Sequence, residues 1–262
     1  MHPKISVAVP TRHRPEIHRR FVETFYESLI DSNVEPKNEP HLLTIYDAPS
    51  KLSSGVDGYY SKEVTFHDKS SLTELWNQCI ILSPTDWVLI CNDDIEFRPG
   101  WLEYLEETID TGLYDLIHLF HYGAMCIHKS LILKIGWFDE RFRGGGFEDN
   151  DYQLRIYEAD LKDRVDRSHD FIRREGNREI GHYVDHTKYI HRGEGWQGCN
   201  NAEWIKEKWT TNLDWRRPAF RRSREEDWHP TITRKYEDRF GFTELFSRDT
   251  IRSIEEKREV RH

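Results

Sequence analysis

The stretch "WVLICNDDIEF", Trp87 to Phe97, runs an apolar core, Val88-Leu89-Ile90, straight into two adjacent carboxylates. An apolar run without alternation reads as a strand buried on both faces, the pattern of a parallel sheet covered by helices. Like charges side by side at the end of such a strand are costly unless something positive sits between them and another ligand. A solvated turn and a metal site are the two readings that "NDD" allows by itself.

Around this stretch the chain alternates strand and helix. "ISVAVP" (Ile5 to Pro10) reads as a short buried strand ended by proline. From Pro15 onward Ile17, Phe21, Phe25 and Leu29 recur every four positions, one face of a helix, and proline near a helix start forfeits no needed donor. "LLTIYD" is a second strand that ends at Asp47, and a loop rich in Ser and Gly follows it. In "SLTELWNQCIIL", Ser71 and Glu74 have the spacing of a capping box, and Leu72, Leu75, Trp76 and Cys79 line one face. "GWLEYLEETI" is a further helix, and "LIHLF" and "AMCIHK" are further strands.

This order predicts an α/β fold with a mostly parallel sheet flanked by helices. Ligands of such sheets bind outside the carboxyl ends of the strands. Three polar signals fall at those ends: "TRHRPE" after the first strand, Asp47 after the second and "NDD" after the third. Hard cations such as Mn²⁺ and Mg²⁺ prefer carboxylate oxygens and share their shell with substrate phosphates, so Asp93 and Asp94 suit half a shell completed by a diphosphate.

Downstream, "RFRGGGFEDNDYQLRIYEADL" sets three glycines before Glu148, Asp149 and Asp151. Acids in a first helical turn favour the macrodipole, so plain capping is one reading. The run Gly144–Gly146 points instead to close approach of a ligand, and a carboxylate beside it suits a general base for an acceptor hydroxyl. "YVDHTKYIHRGEGW" brings His182, His186 and His191 into ten residues; each is a structural hydrogen-bonding group or, for His191 above all, a metal ligand.

"VAVPTRHRPE", the Asp after strand two, "LICNDDIEFRPGWLE", "GWFDERFRGGGFEDNDYQLR" and "YIHRGEGW" occur in the order found in family-2-like glycosyltransferases of the GT-A fold, which this chain resembles over about residues 4–196. The resemblance implies a nucleotide-sugar donor, with UDP-sugar the commonest in the family. It implies a divalent metal, Mn²⁺ or Mg²⁺, and transfer of a hexosyl or pentosyl group with inversion. Pro10, Thr11 and Arg14 match the first loop on the nucleotide, Asp47 the carboxylate that reads base or ribose, and Asp93 a position near the ribose. Asp94 matches the last acid of the DXD motif, which ligates the metal, and His191 the late histidine on metal or diphosphate. Asp149 matches the catalytic base, with Glu148 and Asp151 in support. The chain departs from the pattern at Asn92, which removes one acid ligand.

The expected layout is a GT-A (Rossmann-like) catalytic domain over 1–199 and a helical C-terminal extension over 200–262. With 262 residues and a net charge of −9, the chain has no overall electrostatic case for nucleic-acid binding. The extension differs, holding 15 Lys/Arg against 13 Asp/Glu. Its "WRRPAFRRSR" run and its tryptophans Trp204, Trp209, Trp215 and Trp228 read as a solvated face with core anchors, or as an arm for an acceptor, a glycan or a modified DNA base. The four cysteines form no CxxC pair, and no membrane anchor or signal peptide is read, so a cytoplasmic protein is expected. Two rival readings stand beside the transferase. One is a two-metal carboxylate-site nuclease or phosphatase; the other is a non-catalytic carbohydrate- or nucleic-acid-binding module.

Overall fold

The first apolar run forms β1 (Ile5–Thr11), and each of its seven residues is buried. It lies at the centre of a sheet because it pairs in parallel on both sides. With β2 (His41–Asp47) the register runs from Ser6↔His41 to Thr11↔Tyr46, and with β4 (Trp87–Cys91) from Ile5↔Trp87 to Ala8↔Ile90. Beyond β2, β3 (Ser61–Phe66) adds a parallel edge. Beyond β4, β7 (Ala124–His128) is antiparallel to both β4 and β6 (Leu116–Phe120), and β8 (Val165–Asp166) pairs in parallel with β6. The order is β3-β2-β1-β4-β7-β6-β8. The mostly parallel α/β sheet read from the sequence is therefore present. β3 is an addition to it, from a segment read as loop.

The computed structural model describes residues 4–11, 14–35, 39–47, 61–66, 71–140, 142, 146–170, 173–176, 178–187, 201, 205, 209–210 and 221–222. Two units emerge: Met1–Ser70, Gln78–His128 and Arg164–Arg192 make the first; Ser71–Asn77, Lys129–Asp163 and Gly193–His262 make the second.

In the first unit, α1 (Pro15–Asp31) has proline in its opening turn and buries Phe21, Val22, Phe25 and Leu29. The core continues into β5 (Ile95–Phe97) and α3 (Trp101–Asp110) through an aromatic cluster. Phe97 meets Phe21 and Phe25 edge-on at 5.2 and 5.5 Å and lies 4.9 Å from Trp101. Trp101 Nε1 donates to Ser28 Oγ at 2.9 Å, which satisfies the polar tip of a fully buried ring. β5 belongs to a second, antiparallel sheet with β11 (Val184–Thr187), β10 (Arg178–Ile180) and β9 (Arg173–Glu175), in the order β5-β11-β10-β9.

Helix α2 (Leu72–Leu82) opens with the expected capping box. The Ser71 N–H donates to Glu74 Oε2 at 2.8 Å, and the Glu74 N–H donates to Ser71 Oγ at 3.1 Å. In the second unit, Asn77 pairs with the backbone of Phe138 twice, at 2.9 and 3.0 Å. Phe138 stacks on Tyr152 of α5 (Glu148–Glu158) at 4.0 Å, and Phe142, Leu154 and Ile205 form a small core. α4 (Ser130–Ile135) precedes α5 in the chain. Of the C-terminal extension, Asn201 and Ile205 are helical, and β12 (Trp209–Thr210) pairs antiparallel with β13 (Arg221–Arg222), a ribbon that the helical reading did not include. Trp204, Trp215 and Trp228 lie outside the described residues. No described helix is long and apolar enough to cross a membrane.

Candidate active site

Parallel pairing of β2, β1 and β4 puts their carboxyl ends on one edge of the seven-stranded sheet, so the three polar signals share that edge. Pro10 lies past the last β1–β4 pair, where its missing N–H breaks no ladder with that strand. Thr11 ends β1, and its Oγ1 donates to Asp93 Oδ2 at 2.7 Å. Arg14, just ahead of α1, donates from Nε to the same oxygen at 3.0 Å and from its second nitrogen to Oδ1. Three of the predicted residues thus converge, with Asp93 only 1% exposed at their centre. Burial pushes the Asp93 carboxyl up to about 6, while Arg14 and Thr11 pull it down. Asp47 closes β2 opposite Phe66, and its side chain lies outside the described residues.

Asp94 turns the other way. Its backbone carbonyl accepts from the Thr187 N–H at 3.0 Å, which ties the NDD turn to β11. One carboxylate oxygen, Oδ1, is buried, accepts no hydrogen bond and lies 3.1 Å from His186 Nε2. Cross-strand register explains the approach, because His186 sits opposite Ile95 on one side and Glu179 on the other. His186 Nδ1 is 3.6 Å from Glu179 Oε2, and the Phe120 ring stacks on the imidazole at 5.0 Å. On the opposite face of β11, Asp185 is held by Arg98 at 2.9 Å and Arg178 at 2.6 Å. Those ion pairs fix the strand's register and so the position of His186.

His186, which the sequence reading ranked below His191, is the histidine that the structure sets beside Asp94. The period-two alternation of Val184 and His186 on one strand face was the available signal. His191, the residue preferred there, lies outside the described residues, and His182 is exposed and edge-on to His169 at 4.8 Å. Among the described residues no three metal-ligating side chains gather. A buried carboxylate oxygen 3.1 Å from an imidazole nitrogen still fits part of a divalent-cation shell.

The second unit carries the other acids, all in the first turn of α5. They follow Gly146 and Phe147, both at positive φ, +96° and +72°. Gly146 suits that conformation, and its carbonyl accepts from Asn201 Nδ2 at 3.0 Å. Gly144 and Gly145 lie outside the described residues. Glu148 is buried; burial first, and the neighbouring Asp149 second, push its carboxyl up to about 7. Asp149 is half-buried and accepts the Asn150 N–H at 2.8 Å. Asp151 is fully buried against Arg155 at 2.9 Å, and Arg155 donates to the carbonyls of Ile135 and Trp137 at 3.0 and 2.6 Å. Asp151 therefore anchors the helix that carries the other two.

No family model matches the chain, and no curated protein matches it in sequence. Solved structures do match. A Drosophila β1,4-galactosyltransferase 7, in complex with manganese, UDP-Gal and xylobiose, aligns with a TM-score of 0.51 at 15% identity over 79% of this chain and 80% of that one. The 1–349 fragment of S. aureus TarS aligns with a TM-score of 0.50 at 13% identity over 62% of this chain, which spans 57% of the fragment's length. At such identities the likeness is one of architecture: the chain has the GT-A fold.

Proposed function

We propose that the chain is a metal-dependent glycosyltransferase that moves a sugar from a nucleoside-diphosphate sugar, a UDP-sugar first among them, to an acceptor hydroxyl. The observation that carries this reading is Asp94 Oδ1, buried at the strand-end edge 3.1 Å from His186 Nε2. Asp94 and His186, with His191, would hold Mn²⁺ or Mg²⁺, and the donor's diphosphate would supply further oxygens. Such an ion neutralises the charge that develops on the leaving diphosphate.

The chain's own groups do the rest. Asp93, clasped by Thr11 and Arg14, holds the NDD turn against the first loop, and Pro10, Thr11, Arg14 and Asp47 frame the nucleotide. Asp149 takes the acceptor proton. Its neighbour Glu148, shifted up to about 7, stays largely protonated below neutrality. Asp151 supports both through Arg155. One base suits a single displacement with inversion; a retaining double displacement needs a second carboxylate as nucleophile. The GT-A fold favours this reading over a two-metal nuclease or a binding module. The acceptor class, a glycan or a modified nucleic-acid base, is assigned to the arginine-rich extension over 200–262.

Calorimetric titration of the full chain with UDP, GDP, dTDP and CDP, with Mn²⁺ and then with EDTA, tests the reading. Binding of one nucleotide that disappears with EDTA is expected. Absence of binding to all four overturns it.

A further inference from the structure

Residues that stand opposite one another in neighbouring strands share a face, and one such rank crosses the four-stranded sheet. Arg174 of β9 is opposite Glu179 of β10, and Glu179 is opposite His186 of β11. The rank leads from an exposed guanidinium to the NDD turn. Arg174, 62% exposed, donates to Glu179 Oε1. Glu179 Oε2 lies 3.6 Å from His186 Nδ1, and His186 Nε2 lies 3.1 Å from Asp94 Oδ1. The imidazole thus stands between two carboxylates, one at each ring nitrogen.

A neutral imidazole carries one proton, and the nitrogen that keeps it decides what the other can do. With the proton on Nε2, the ring donates to Asp94 and the pair is closed. With the proton on Nδ1, a bare lone pair meets the Asp94 oxygen, an arrangement that a cation between the two makes favourable. Their separation suits one, because ligands on adjacent corners of an octahedron at about 2.1 Å stand roughly 3 Å apart.

Glu179 supplies the acceptor for a proton on Nδ1. That nitrogen is buried and makes no hydrogen bond among the described residues. A contact of 3.6 Å is longer than a hydrogen bond, and contacts of this kind commonly tighten once a site is filled. Phe120, stacked on the imidazole at 5.0 Å, restrains the ring plane. Pairing with an exposed arginine stabilises little, so Arg174 alone does not account for a glutamate that is only 6% exposed.

We propose that Glu179 is a positioning residue: its carboxylate keeps the His186 proton on Nδ1, so that Nε2 and Asp94 Oδ1 together accept a divalent cation instead of sharing a proton. This inference rests on the glycosyltransferase reading above, which sets the cation at Asp94.

The test compares the full-length wild type with Glu179→Gln and Arg174→Gln, using Mn²⁺ as the probe. Electron paramagnetic resonance of free Mn²⁺ gives the affinity. Long-range ¹H–¹⁵N correlation spectra of the metal-free chain, in mildly alkaline buffer, give the His186 tautomer, assigned by its loss in His186→Ala. The wild type should bind Mn²⁺ and carry the ring proton on Nδ1. Glu179→Gln should lower the affinity by roughly 10–100-fold and shift the ring towards the Nε2 tautomer, with the melting temperature held because Arg174 stays solvated. Arg174→Gln, which leaves the carboxylate beside His186, should keep both the affinity and the tautomer. Equal affinity in Glu179→Gln and the wild type, or a wild-type proton on Nε2, overturns the positioning role and leaves the transferase reading standing. So does an equal loss in Arg174→Gln, which would reduce Glu179 to a strand ion pair. Failure of the wild type to bind Mn²⁺, alone and with UDP, GDP, dTDP or CDP, overturns both.

Discussion

Arg14 grips both carboxylate oxygens of Asp93, across 79 positions of sequence, in a site where the aspartate side chain is wholly removed from solvent. Removing the cation strands a buried charge. Arg14→Ala should therefore cost about 3–5 kcal/mol in urea unfolding, and the paired change Arg14→Met with Asp93→Leu should cost clearly less. Equal losses in the two would show that the pair contributes little beyond packing.

Asp94→Asn and His186→Ala probe the metal shell. Each should weaken Mn²⁺-dependent nucleotide binding by roughly 10–100-fold, as changes in or next to a metal shell do, with the melting temperature held. Calorimetry with Mn²⁺ measures the loss. An unaltered metal-dependent signal in His186→Ala would return the histidine role to His191.

Asp149→Asn should leave Mn²⁺-dependent nucleotide affinity intact while transfer to the acceptor falls by about 10²–10⁴-fold. Normal transfer by this variant removes Asp149 from the mechanism.

Glu148 yields a pH signature. Its carboxyl is raised in the folded chain, so protonation favours folding. That contribution is fully present below the ordinary glutamate range and is lost as pH climbs through about 7. Glu148→Gln should match the wild type near pH 4.5 and exceed it by about 1–3 kcal/mol at pH 8. Denaturant midpoints at the two values decide it; a pH-independent difference would deny the raised carboxyl.

Gly181 closes the β10–β11 turn, its N–H donating to the Val184 carbonyl at 3.0 Å. An added Cβ would stand 2.6 Å from that carbonyl oxygen, which is backbone and has little room to yield. Gly181→Ala should destabilise by about 1–3 kcal/mol and also weaken Mn²⁺-dependent nucleotide binding, because the turn leads directly into the strand that bears His186. Retained binding in a destabilised variant would uncouple turn from site.

The parallel core was legible because β1, β2 and β4 are short, mostly apolar runs, and α1 because Phe21, Phe25 and Leu29 keep helical spacing. β3 was not: "SKEVTF" alternates polar residues on an edge strand, and nothing local distinguishes it from the loop before it. The strand-end acids could be found from sequence, since buried strands rarely run into paired carboxylates. Their division of labour could not. That Asp93 binds inward to Arg14 while Asp94 meets His186 depends on pairings between segments 79 and 92 positions apart. Local pattern carries no record of such distances.

The quoted stretch that begins as one strand ends as another. Trp87–Cys91 belongs to the seven-stranded sheet and Ile95–Phe97 to the four-stranded one, with three residues between them. The length of that link is consequently as constrained as its chemistry. One residue inserted between Cys91 and Ile95 would exchange the two faces of β5, turning Glu96 into the aromatic cluster and Phe97 out of it. Substitution within the turn alters a ligand; a change in its length would unseat a sheet. Homologous chains should therefore vary the letters of this tripeptide and keep its count.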